Sequence, residues 1–271
     1  MATLELRRYP DASAFLERAE SWLLEEEIER ALALKVARQA RANDARFEKP
    51  TYWATFEEAG RIVGCAFRTP PHHVAVTRLP PAAIPLLLES LKETYTVMSG
   101  ISGVEPTASA LAAVSFADRW RVQSRQWLWS LTAVDPPAAP AGTLRLATRD
   151  DMTAAWEWGT RDPEMPFTDP LFCAAFIRAA ALHVWHDDGP RCMAAVLRQT
   201  QRSAALGIIY TPPEWRNKGY ATATVAAWSR QVLDSGQRCF FYTNAAFAPT
   251  TAICRKLGHD LVHESVDIDF R

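Results

Sequence analysis

The sequence predicts an α/β protein of the α+β kind, made of two halves in which mixed central sheets are flanked by helices. Three observations carry this expectation. Helical and strand-like periodicities alternate along the chain. Its 271 residues suit either one large α/β domain or two halves of about 130 residues. Between the halves stands DPPAAPAG, Asp135 to Gly142, whose three prolines fit neither a ladder nor a helix and favour an extended connector. The reading is therefore a first domain at 1–134, a linker at 135–142 and a second domain at 143–271.

The elements follow in order. Phe15, Ala19, Trp22 and Leu23 repeat at helical spacing within a helix expected over about 12–42. Its Glu25-Glu26-Glu27 run reads as a solvated face. TYWATFEEAGRIVGCAFRT gives two strands about a turn at Glu58-Ala59-Gly60-Arg61, with glycine supplying positive φ. Helices are expected near 82–96 and 106–119, and Val122, Trp127, Trp129 and Leu131 alternate with polar neighbours in a half-buried strand. The second half opens on the strand TLRLAT. Asp150-Asp151 then start a helix through Trp156 and Trp158, acids that suit its positive end. A helix over 170–181 precedes three strands, with turns at Asp188-Gly189 and Gln201-Arg202. The halves echo each other in FEEAGRIVG and WHDDGPRCM, and in RTPPHH and YTPPEW, a hint of duplication.

Composition narrows the function classes. With 48% hydrophobic and 23% charged residues the chain reads as globular. Thirty basic against 31 acidic side chains leave a net charge of −1, so no global field draws it to nucleic acid or anionic lipid. Any anion site must be local. Five cysteines without a CxxC pair point to a reduced, cytoplasmic protein, and no 18-residue apolar run or leader-like N-terminus suggests a membrane. His183 and His186 lie three apart in a strand, and His259 and His263 lack an HExxH context, so no metal is expected.

The informative stretch is YTPPEWRNKGYATATVAAW, Tyr210 to Trp228. A strand ends at Tyr210, a proline turn follows, and Arg216, Asn217, Lys218, Gly219, Tyr220 and Ala221 stand at a helix start. First-turn N–H groups lack intrahelical partners and the dipole favours negative charge, so this is an anion cradle. Ala221, Val225, Trp228 and Val232 give the helix its apolar face, and Gly236 ends it. Neither GxxxxGK[ST] nor GxGxxG occurs.

The pattern R-x-x-G-x-A at Arg216–Ala221 resembles the GNAT superfamily of N-acetyltransferases. So does Lys256-Leu257-Gly258-His259, which follows a short helix and has histidine where the family usually has an aromatic residue. The likeness covers about 143–271, and the whole chain is similar to tandem GNAT proteins with a degenerate first half. It implies acetyl-CoA as co-substrate, with phosphates on the Arg216–Ala221 loop, amide groups on the backbone of Ile209, Tyr210 and Thr211, and Asn244 and Thr251 on the cofactor side. It implies acetyl transfer by direct attack of a primary amine of a small molecule or peptide, and it admits a homodimer. The base is sought in TRDPEMPFTDP, where Glu164 sits between apolar neighbours near Asp162 and Asp169. These acids also read as caps or solvated charges, and the C-terminal carboxylate of Arg271 is a further candidate. Where the family carries its tyrosine acid, this chain has Cys254, either a thiol donor or a small packed side chain. The alternative to an enzyme is a catalytically silent acyl-CoA-binding or protein-interaction module.

Overall fold

Both halves run through one order of elements: strand, two helices, three strands, helix, strand, helix, strand. In the first these are β1 (Leu4–Tyr9), α1 (Ala12–Glu25), α2 (Ala31–Ala42), β2 (Tyr52–Glu58), β3 (Arg61–Arg68), β4 (Val74–Val76), α3 (Ala83–Thr94), β5 (Gly100–Val104), α4 (Thr107–Ser115) and β6 (Trp120–Leu131). In the second they are β7 (Thr143–Leu146), α5 (Asp151–Arg161), α6 (Pro170–Arg178), β8 (Leu182–His186), β9 (Pro190–Gln199), β10 (Ser203–Tyr210), α7 (Tyr220–Asp234), β11 (Arg238–Asn244), α8 (Ala248–Lys256) and β12 (Asp260–Phe270). The computed structural model describes residues 3–43, 45, 47–115, 119–135, 138–161, 170–200 and 202–270.

Contacts divide the chain into two units. One comprises the residues through Leu128, Asn244–Ala246 and the chain from Val262 on; the other comprises Trp129–Thr243 and Phe247–Leu261. The division cuts through β6 and β12, whereas the sequence halves meet at 135–142.

In the first unit the strands lie in the order β1-β2-β3-β4-β5-β12-β6, with β4 and β5 parallel. Side chains alternate across a strand, so β2 feeds two cores. Trp53 packs under α1 and α2 beside Phe15, Leu16, Cys65 and Phe67. Tyr52 and Phe56 pack with Leu87, Leu91, Ile101 and Ile268 on the face covered by α3 and α4. The expected turn forms, with Ala59 at φ 48 and Gly60 at φ 76.

Two expectations are corrected here. The helix expected over 12–42 is two helices, because the chain breaks between Glu25 and Ala31. In the break Arg30 folds back, pairing with Glu26 at 2.6 Å and stacking on Trp22 with its guanidinium 3.6 Å from the ring centroid. The acidic run is not all solvated, since Glu27 is buried. Sequence periodicity also missed β1, β4 and β5; β4 is three residues long and buried on both faces, leaving no alternation to read.

In the second unit the order is β11-β10-β9-β8-β7, with β10 and β11 parallel. Trp158 and Cys173, from α5 and α6, cover Leu182, Val184, Met193 and Ala195 on one face. On the other, Tyr220 and Ala223 of α7 pack with Trp185 and Cys192. The start of α5 follows expectation: Asp151 is buried, takes two hydrogen bonds from Arg145 at 2.7 and 2.9 Å, and accepts the Thr148 N–H at 2.7 Å. These bonds hold its carboxyl below the usual carboxylate range against the cost of burial. Among the described residues no helix is long and apolar enough to cross a membrane.

Candidate functional site

The site grows from the way β10 parts from β11. The two strands pair from Ser203↔Arg238 to Leu206↔Phe241, and no farther. Gly207 to Tyr210 run on past the last pair, with Tyr242 and Thr243 on the other side. A slot opens there, one edge of which is the β10 backbone.

The cause of the parting is local. Against β9, Leu206 faces Val196 and Ile209 faces Ala194, so Gly207 and Ile208 together oppose one residue. This is a β-bulge, which bends its strand and disrupts the ladder. A Cβ at 207 would meet the Leu197 side chain, which would have to move to admit a larger residue at the bulge.

At the C-terminal end of β10 lies the cradle. Thr211 and Pro212 lead into a single 3-10 turn, Pro213–Trp215. The Arg216 Nε donates to the Thr211 carbonyl at 2.9 Å, tying the loop back to the strand end. Asn217 takes φ 61 and Gly219, the N-cap of α7, takes φ 90. The first helical bond is Ala223 N–H to the Gly219 carbonyl at 2.9 Å, so the N–H groups of Tyr220, Ala221 and Thr222 have no partner inside the helix. A loop with alternating left-handed residues ahead of free first-turn donors binds anions.

Cations gather beside it. The Trp215 ring carries Arg191 with its guanidinium at 3.8 Å and Lys218 with its ammonium at 4.4 Å. Tyr220 meets Trp215 edge-on at 6.1 Å and donates its hydroxyl to Asp187 at 2.8 Å, which fixes the ring beside the loop. Arg191 and Asp187 are site residues that sequence reading missed; their signal was the WHDDGPR turn, read only as a hairpin.

The expected residues separate into groups. Ile209, Tyr210, Thr211 and Arg216 to Ala221 come together along the slot and its mouth. Thr251 is buried, and its hydroxyl is engaged with Thr243 at 3.3 Å, which also accepts the Trp129 indole N–H at 2.9 Å. Asn244 falls in the first contact unit, with its side-chain oxygen accepting the Ala246 N–H at 2.9 Å. Glu164, Asp162, Asp169 and Arg271 lie outside the described residues.

Cys254 is enclosed. It is 2% exposed, and burial pushes its thiol up to about 12. The Lys256-Leu257-Gly258-His259 signature closes the same helix. Gly258 takes φ 79, and His259 donates from its backbone N–H and from Nδ1 to the Cys254 carbonyl, both at 3.0 Å. Its ring lies edge-on to Phe241 at 4.8 Å. The histidine thus packs as the aromatic it replaces. Among the described residues no three His, Cys, Asp or Glu side chains group as metal ligands.

Residues 185–267, which contain the slot and cradle, match the FR47-like protein family. No curated protein matches the chain. Among solved structures, the chain is similar to a GNAT-family acetyltransferase from Colwellia psychrerythraea, at 12% identity and TM-score 0.62, over 98% of this chain and 100% of that one. It is also similar to a GCN5-related N-acetyltransferase from Sphaerobacter thermophilus, at 15% identity and TM-score 0.55, covering 98% and 95%. A tandem GNAT protein from the clavulanic acid biosynthesis pathway aligns at 15% identity and TM-score 0.51, covering 98% and 97%. At these identities the likeness is one of fold.

Proposed function

We propose that this chain, a member of the GNAT superfamily by its fold and its FR47-like segment, is an acyltransferase that moves an acetyl group from acetyl-CoA to a primary amine of a small molecule or peptide. The observation that carries the reading is the slot beyond the Leu206↔Phe241 pair with an anion cradle at its mouth. The β10 edge offers the backbone groups of Ile209, Tyr210 and Thr211 to a linear diamide arm. The first turn of α7 behind this loop offers the N–H groups of Tyr220, Ala221 and Thr222, together with the helix dipole, to a pyrophosphate. One end of the substrate needs a ladder partner and the other an anion hole, in that order along the chain, and this donor set fits both.

The protein's part in the reaction is positioning. An alkylamine with a pKa of about 10.4 is almost wholly protonated at neutral pH, so the acceptor must lose its proton before attack. A thioester fixed along β10 presents its carbonyl at one place and gains the rate advantage of an oriented pair. The five cysteines, all free and buried, fit a reducing cytoplasmic setting.

Isothermal calorimetry with acetyl-CoA, followed by thiol release across a panel of alkylamines, peptides and aminoglycosides, tests the proposal. Binding together with amine-dependent release of free CoA thiol is expected. Binding without release from any acceptor favours the silent module instead.

A further inference from the structure

The second unit holds a cleft at the other end of α7 from the cradle, and its cause is what lies under the helix. Alternation puts Leu144 and Trp185 on the face that packs against the first turn of α7. Two residues along the same strands, on the same face, stand Leu146 and His183, which are register partners. The residues beneath the helix there are small, Ala180, Val196 and Ala204, and the last turns of α7, from Trp228 to Ser235, leave a cleft of about 300 Å³ over them. Tyr220 to Ser235 is about 22 Å of helix, so cleft and cradle are separate sites.

His183 is the part of the wall that packing does not explain. Its side chain is 9% exposed, and its Nδ1 is buried without a hydrogen-bond partner. Burial holds the ring below the ordinary imidazole range, so at neutral pH it is uncharged, with one nitrogen donating and the other accepting. A buried polar atom left unpaired is destabilising, and a ligand that supplies the partner recovers that loss.

The other polar groups of the cleft are amides and a hydroxyl. Gln237 is engaged, donating to the Thr200 carbonyl at 2.8 Å and accepting from the Ser235 hydroxyl at 3.3 Å. Gln199 and Gln231 are exposed and open to a ligand. Among the described residues no Asp, Glu, Lys or Arg lines the cleft, so a charged ligand would give up water there and gain no counter-ion.

We infer that this cleft is a binding site for a small uncharged ring compound that carries a carboxamide or lactam group. Such a group offers N–H and C=O side by side, so it meets Nδ1 in either tautomer of His183 and pairs with the glutamine amides in the same way. Trp228 and Val232 give the ring an apolar wall. The volume stands at the lower end of ligand pockets and suits one or two rings. The site is independent of acyl transfer and stands whether or not the chain acetylates an amine.

The test is calorimetry on the full chain with nicotinamide and uracil, each beside its carboxylate counterpart, nicotinate and orotate. Saturable binding of at least one neutral probe is expected, with its charged counterpart at least about tenfold weaker. His183→Phe keeps a ring in the wall and removes the nitrogen, and should weaken the neutral probe at least about tenfold. Gln231→Ala, at an exposed position outside the core, should weaken it about threefold. Where His183→Phe does not fold, Gln231→Ala and the contrast between neutral and charged probes decide. Acetyl-CoA affinity should be unchanged in both variants, and Gly219→Asp should leave the probe affinity unchanged. Failure of both neutral probes to saturate, equal binding of neutral and charged forms, undiminished binding in the folded variants, or loss of probe binding in Gly219→Asp overturns the site.

Discussion

The β4–α3 and β10–α7 crossovers hold the same place in the two halves and are built in opposite ways. In the first, β4 pairs with β5 along all three of its residues, Val74↔Ile101 to Val76↔Gly103. The strands are pressed together: a Cβ on Gly103 would stand 2.5 Å from the Val76 carbonyl oxygen. Four donors of the connection are engaged. The Thr77 N–H goes to the Cys65 carbonyl and the Leu79 N–H to the Thr107 hydroxyl, Pro80 and Pro81 have none, and Ala83 and Ile84 donate back to the prolines. In the second, β10 leaves β11 where its pairing with β9 shifts register twice, and the first turn of α7 keeps its donors. An identical order of elements therefore does not carry a site. What carries it is whether the backbone groups at the crossover are already used.

The sharpest way to break this comparison is to charge each helix start in turn. Gly219→Asp puts a non-glycine residue at φ 90 and a carboxylate in the cradle, and the strain alone costs about 1–2 kcal/mol. With like-charge repulsion added, acetyl-CoA affinity should fall at least about thirtyfold by calorimetry. Ala82→Asp, at the exposed N-cap of α3, should leave affinity unchanged. Equal losses would mean that the first crossover also takes part in binding.

Gly103→Ala probes the closed side. Its new methyl meets backbone that is locked in a ladder, so overpacking should cost about 1–3 kcal/mol and lower Tm by several degrees. The acetyl-CoA affinity of the folded protein should not change. An unaltered Tm would show that β4 and β5 can part as β10 and β11 do.

Each contact unit also carries a buried imidazole, strongly shifted, that can report on it. Burial pushes both His263, in the first, and His259, in the second, down to about 4. The unfolded value is about 6.5, so below it the unfolded state binds more protons and stability falls as the pH drops toward 4. Above about pH 7 these groups contribute no slope. His259→Phe keeps an aromatic ring on Phe241 and removes one titration. It should reduce the slope of unfolding free energy between pH 6.5 and 4 by up to about 1.4 kcal/mol per pH unit.

How much of this was readable beforehand follows from range. The cradle was legible because its parts are contiguous: proline turn, Arg216, Gly219, then an apolar-periodic helix. The hairpin echo was legible for the same reason, and it joins equivalent pairs, β2–β3 and β8–β9. The Thr-Pro-Pro echo does not, since one copy follows β3 and the other β10. The slot was not legible. It depends on which residue of β11 meets Leu206 and on a two-for-one mismatch against β9, and register between strands leaves no mark in either strand alone. The broken first helix was missed because Arg30 folds back on Trp22 and Glu26 and Glu27 is buried, which periodicity does not record.

The smallest effect is expected at Cys254. Its side chain is enclosed at 2% exposure with the thiol pushed up to about 12, so at neutral pH it is a small neutral group in the interior. Cys254→Ala removes one sulfur atom from a packed site, and core truncations of this size cost little, about 1 kcal/mol. Its kcat should therefore stay within about twofold of wild type, with Tm down by a few degrees at most. Cys254→Tyr inverts the sequence-level intuition: it brings back the family's residue type, yet forces a phenol ring into a cysteine-sized space and should lower Tm more than alanine does. Steady-state rates and melting curves for the pair decide the matter. A tenfold loss of kcat in Cys254→Ala at unchanged acetyl-CoA affinity would make this thiol the proton donor after all.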